Sequence, residues 1–152
     1  MDIRIFDQPE DLNQVRLFAA QLTHAVTLPT QHWSWAEAFA HTVAHKCELR
    51  FIVALEGGRA LALLPLVRQP TAPHFELLNL GHLYEPVDVV CMDPTALRLV
   101  AAALAERHDL FLFHRVPANS PLVGALREET LGLGLTIGRP DAGWPSIALA
   151  DQ

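Results

Sequence analysis

The chain opens on an alternating stretch, Ile3-Arg4-Ile5-Phe6, that reads as a strand. A turn over 7–11, with Pro9 near a helix start, follows it. Leu12, Val15, Leu17, Phe18, Leu22 and Val26 then recur at helical spacing, and Pro29 ends that helix. A second helix starts near Gln31 with Trp33, Ala36, Phe39, Ala40 and Val43 on its apolar face. It ends near Lys46, because Leu49 to Leu55 is strand-like. Gly57-Gly58 between two apolar runs predicts a hairpin, since both central residues take positive φ without a steric cost. The partner strand is Ala60 to Val67, and Pro65 inside it predicts a bulge or an edge position, because proline donates nothing to a ladder.

Past a proline-flanked loop over 69–73, His74 to Leu80 is the next strand, closed by Gly81. Val87 to Cys91 is a buried-strand pattern carrying one acid, Asp88. Asp93-Pro94 opens a helix whose stripe is Leu97, Val100, Ala101, Leu104 and Ala105. Leu110-Phe111-Leu112-Phe113 reads as a central strand by its continuous apolar run. Ser120-Pro121 opens a further helix through Leu122, Ala125, Leu126 and Thr130, broken by Gly132 and Gly134. Leu133 to Ile137 and Ser146 to Leu149 are the last strand candidates. The order β-α-α-β-β-β-β-α-β-α-β-β predicts an α/β (α+β) domain: a mixed, mainly antiparallel sheet with helices on both faces.

Composition narrows the class. The 152 residues fit one domain, and a chain of about 150 residues buries roughly 68–70% of its unfolded surface. Hydrophobic residues make up 51%, which excludes a disordered chain. Cys47 and Cys91 are the only cysteines, so a disulfide scaffold is excluded and each reads as a small buried hydrophobe. No apolar run is long enough to span a bilayer. Asp2 and Asp7 stand where a signal peptide carries basic residues, so the expectation is a cytoplasmic protein. The net charge of −6 argues against a nucleic-acid partner, which would call for a basic face. Charged residues are only 18%, against about 25% in an ordinary domain. That leaves two readings: a well-filled core, or a surface that meets a partner.

A few residues carry candidate chemistry. His41 and His45 are four apart with Cys47 beyond, a spacing that can share a metal on a helix. Thr42 stands where the zinc-protease pattern needs Glu, and no third ligand is evident, so a solvated helix edge is favoured and no metal is expected. Trp33 and Trp35, two apart, cannot share one helix face; one belongs in the core. Arg115, after the 110–113 strand, either holds a carboxylate or phosphate bidentately or pairs internally with Asp88.

The element order resembles the GNAT superfamily of acyl-CoA N-acyltransferases. The strings HWSWAEAFAHTV, FIVALEGGRALALLPLVRQ, LLNLGHLYEPVDVVCMDP, LFLFHRVPANSPL and GWPSIAL are similar to its FemAB-like branch. Within that branch they resemble the bacterial acetyltransferases associated with cellulose and exopolysaccharide biosynthesis. Members of that branch carry two GNAT-like halves, and residues 1–152 look like the first half alone.

The resemblance implies acyl transfer from an acyl-CoA or aminoacyl donor to an amine or hydroxyl acceptor, such as a small molecule or glycan precursor. It implies a second GNAT-like half or a homodimer as partner. The donor pyrophosphate would meet the turn of Met92, Thr95 and Ala96. That turn lacks glycine, Pro94 removes a donor, and Asp93 places a carboxylate where phosphate would lie, so a plain helix cap is the competing reading. On the acceptor side, His82, Tyr84, Glu85 and Asp88 are the densest polar group. Glu85 or Asp88 would act as general base and Tyr84 or His82 as acid, provided burial raises the carboxylate pKa. The alternatives are a polar loop with Asp88 paired to an arginine, and a non-catalytic docking module with a GNAT-like fold.

Overall fold

The computed structural model describes residues 1–43, 45–78, 86–107 and 109–129. Within them the elements are β1 (Asp2–Phe6), α1 (Leu12–Gln21), α2 (Trp33–Val43), β2 (Glu48–Glu56), β3 (Arg59–Arg68), β4 (His74–Leu77), β5 (Val90–Cys91), α3 (Pro94–Ala105), β6 (Leu110–Phe111) and α4 (Pro121–Glu129). The sheet runs β1-β2-β3-β4-β6, with β5 pairing to β3. Every pairing is antiparallel except β4 with β6.

The sheet is covered on both faces, and β2 shows why. Its seven residues Leu49 to Leu55 are all buried. Leu49, Phe51, Val53 and Leu55 pack with Leu12, Val15, Phe18 and Leu22 near α1, and with Ala36 and Ala40 of α2. Ile52 and Ala54 point the other way, into Leu97, Val100 and Leu104 of α3 and Leu122 and Leu126 of α4. A strand buried on both faces reads as one apolar run without alternation. Each fully buried Leu, Ile or Phe contributes about 1.5–3 kcal/mol, so these two layers are the main source of stability. Gly57 and Gly58 close the β2–β3 hairpin with φ of 56° and 83°, the left-handed pair its turn requires.

Arg50 is the exception in that run. Its side chain is 6% exposed and bonds Glu48 at 2.9 Å and Asp109 at 2.7 Å. Arg68 also meets Glu48 and Asp109, and Arg107 meets Asp109. The guanidinium carbons of Arg50 and Arg68 lie 4.0 and 4.6 Å from the centre of the Phe75 ring. This network closes one end of the α3/α4 layer. Burial pushes the Asp109 carboxyl up, but the hydrogen bonds and charges of Arg107 and Arg50 outweigh it and hold its pKa below the ordinary value.

Pro65 sits in an internal strand, contrary to the bulge or edge expected of it; the bulge of this hairpin lies between Ala54 and Leu55. Leu66 faces Leu77, yet Leu63 faces Val90. Beside Pro65 the partner of β3 therefore changes from β4 to β5. The Pro65 carbonyl accepts from the Leu78 N–H at 2.9 Å. In an antiparallel ladder a residue's N–H and C=O point the same way. The donor that Pro65 lacks would therefore face Leu78 at the end of the β4 pairing, so the ring costs the return bond there and none of the β2–β3 bonds.

Other expectations need correction. The first helix does not reach Val26: Thr23 Oγ1 donates to the Ala20 carbonyl at 2.9 Å, and the chain tightens into a 3-10 turn over Thr23–Ala25. The second helix starts at Trp33 and ends at Val43. Of the 87–91 segment only Val90 and Cys91 join the sheet. The 110–113 run is not a buried central strand: Leu110 and Leu112 are exposed, while Phe111 and Phe113 pack against the core. Cys47 and Cys91 are half-buried. The strands expected over 133–137 and 146–149 lie outside the described residues.

Candidate functional site

The strap 86–89 leads into β5. It forms no ladder of its own, so its backbone groups find other partners. Thr30 Oγ1 donates to the Pro86 carbonyl at 2.7 Å, and Gln31 Nε2 donates to the Val89 carbonyl at 2.7 Å. Gln31 is itself fixed, because its Oε1 accepts from the Thr27 and Leu28 N–H groups at 2.7 and 2.8 Å. On the other side the Val87 N–H donates to the Arg115 carbonyl at 3.2 Å, with Arg115 at φ 59°.

Asp88 is held between these clamps and is 9% exposed. Its Oδ1 accepts from Ser120 Oγ at 2.6 Å and from the Val89 N–H at 2.8 Å. Ser120 Oγ accepts in turn from the Leu122 N–H at 3.1 Å, capping α4. No described residue donates to Oδ2. Burial pushes the Asp88 carboxyl above its ordinary pKa, opposed by the bonds from Ser120 and Val89.

Asp88 lines a cavity of about 280 Å³ between the strap, the 23–34 region and β3. Leu22, Leu63, Leu78 and Val90 give it apolar walls, while Thr30, Gln31, His32 and Arg16 add polar groups. The volume lies near the lower end of small-ligand sites, about 300–1,000 Å³.

Of the acceptor-side group read from sequence, the structure places Asp88 alone. His82, Tyr84 and Glu85 lie outside the described residues. The expected Asp88–Arg115 ion pair is absent among the described residues; the two segments meet through the Arg115 carbonyl and the Val87 N–H. Ser120, Gln31 and Thr30 were missed as site residues. Ser120-Pro121 signals a helix start, but a partner 32 positions away leaves no local mark.

The turn of Met92, Thr95 and Ala96 is organised by its own aspartate. Asp93 Oδ1 accepts from the Thr95 N–H at 2.8 Å and the Asp93 carbonyl from the Ala96 N–H at 3.0 Å. Pro94 has no N–H, so the first amides of α3 are spent or missing. Ala96 is wholly buried and Met92 exposed. Beside this turn, burial, with the charges of Asp93 and Asp88, pushes the Cys91 thiol up to about 11.

His41 is exposed near the end of α2, and His45 is exposed beyond it, so the two do not share a helical face. No group of three His, Cys, Asp or Glu among the described residues could hold a metal ion. Trp33 packs on Phe51 with ring centres 5.8 Å apart, whereas Trp35 is exposed. No described helix is long and apolar enough to cross a membrane.

No protein-family model matches the chain, and neither a curated protein nor a solved structure matches it.

Proposed function

We propose that the chain is a GNAT-like acyltransferase domain that holds the acceptor and leaves the acyl donor to be presented by a second GNAT-like half or a second copy. The observation that carries this reading is Asp88: a buried carboxylate anchored through Oδ1, with Oδ2 unclaimed by any described residue, on the wall of a small cavity. An amine or hydroxyl in that cavity would lose its proton to Oδ2 as its lone pair attacks the donor's acyl carbon. A new C–N or C–O bond forms, the C–S or C–O bond of the donor breaks, and the leaving group carries the electron pair. A carboxylate with a raised pKa suits that task, because it is a stronger base than an exposed one. The glycan-precursor acceptor comes from the sequence resemblance.

The test is calorimetric titration of glucosamine and ethanolamine into the protein and into Asp88→Ala. Saturable binding that Asp88→Ala abolishes supports the reading; no saturable heat up to about 10 mM for either probe sinks it, since that limit is about ten times a Kd of about 1 mM.

The spent amides at the start of α3 favour a second reading, a non-catalytic docking module. Under it neither acceptor nor acetyl-CoA raises the melting temperature. A ligand at 100 times its Kd would add about 2.7 kcal/mol of stability.

A further inference from the structure

A carboxylate that handles a proton or grips a ligand must present one oxygen in a fixed direction, and something must fix it. At Asp88 both bonds from described residues fall on Oδ1. One comes from the adjacent Val89 N–H and turns with the strap itself. The other, at 2.6 Å, comes from Ser120, on a different part of the chain, and among the described residues Ser120 is the only side chain that holds the group. The same hydroxyl accepts from the Leu122 N–H. A hydroxyl that donates to a charged acceptor becomes a better acceptor itself, because successive hydrogen bonds polarise one another.

We infer that Ser120 is a positioning residue for Asp88: its hydroxyl holds Oδ1, leaves Oδ2 as the oxygen that meets a cavity ligand, and ties the charge on Asp88 to the first turn of α4. The part played by Oδ2 rests on the acceptor reading above; the tie to α4 does not. Other ionisable groups surround the carboxylate. Arg16 of α1 and His32 line the same cavity, Cys91 and Asp93 lie at the start of α3, and Arg115 meets the strap through its carbonyl. None of the ion pairs among the described residues includes Asp88, which leaves Ser120 as its side-chain anchor among them.

The test follows the Asp88 carboxyl carbon and the Leu122 amide of the isotopically labelled full chain by NMR as pH is varied. In the wild type the two are expected to titrate with one midpoint. Ser120→Gly keeps most of the cap's backbone preference while deleting the hydroxyl. It is expected to raise the Asp88 midpoint and to silence the Leu122 response, and Ser120→Thr is expected to restore both. His32→Asn is the control, and it should leave the shared midpoint in place. An Asp88 midpoint that does not move in Ser120→Gly, or a Leu122 response that His32→Asn abolishes, overturns the inference. Should Ser120→Gly fail to fold, Asp88→Asn in the otherwise intact chain decides the same point, because a Leu122 amide that still titrates there refutes the tie. Absence of acceptor binding to the wild type, with the titrations as expected, would count against the acceptor reading alone. An unmoved midpoint with binding intact would count against Ser120 alone.

Discussion

Replacing Ser120 by alanine removes two bonds made by one oxygen, and its cost can be worked out from them. The cap on the Leu122 N–H is worth about 1 kcal/mol. The bond to Asp88 has a charged acceptor, and such bonds contribute about 1.5–3 kcal/mol. Both groups are buried, so water replaces neither bond freely. The sum is about 2.5–4 kcal/mol above the folded pKa of Asp88, where the carboxylate is ionised. That is a large part of the roughly 5–15 kcal/mol that holds a typical domain together. Urea denaturation followed by tryptophan fluorescence should show the midpoint falling by about 1–2 M for a slope near about 2 kcal/mol/M. Below the pKa of Asp88 the charged part disappears, so the penalty should shrink towards that of the cap. Ser120→Gly, which retains most of the cap's preference, should lose chiefly the charged part. A loss under about 1 kcal/mol above that pKa, or one that does not change with pH, would refute the idea that this hydroxyl holds an ionised carboxylate.

Asp88→Asn can accept the same two bonds without the buried charge. Folding raises the pKa of Asp88, so the native state holds this proton more tightly than the unfolded chain. Wild-type stability from this group is therefore greatest below 3.8 and falls as pH rises through the folded value. The advantage of Asp88→Asn over wild type should grow across that window in paired melts and then level off. Asp109 behaves oppositely: its lowered pKa supplies stability above 3.8 that is lost as pH falls through the folded value. Acid titration of Asp109→Asn should show a flatter decline than wild type, with about 1.5–3 kcal/mol already missing at neutral pH. Pro65→Val should cost less than about 1 kcal/mol, because the N–H it restores faces Leu78, the partner of the Pro65 carbonyl, and disturbs no β2–β3 bond; a loss of about 3 kcal/mol would show that the ring itself is needed. With its thiol near about 11, Cys91 should react with iodoacetamide at about pH 8 roughly a thousandfold below its fully ionised rate, read by mass spectrometry.

Much of the fold is written in local pattern. The unbroken run Leu49 to Leu55 marks a strand covered on both faces, and Gly57-Gly58 marks its turn. Asp93-Pro94 marks a helix start, and the cap forms as expected. What the pattern does not carry is pairing over distance. Pro65 reads as an edge signal because nothing in its neighbourhood says that one partner strand ends and another begins beside it. Leu110 and Leu112 read as core because a four-residue apolar run does not reveal which side faces a helix. The site follows the same rule. Asp88 stands out as a lone acid among valines, but the choice between Arg115 and Ser120 as its partner depends on where the α4 cap lands. The Gln31 amide, read as a helix start, instead fastens the strap.

What most needs measuring is where ligands touch the molecule. Amide chemical-shift mapping with glucosamine and then with acetyl-CoA tests it directly. The predicted result is a saturable change at Gln31, Val87, Asp88 and Val89 with the amino sugar, and none at Thr95 or Ala96 with the thioester. Thr95 and Ala96 moving with acetyl-CoA while the strap stays silent towards glucosamine would contradict it.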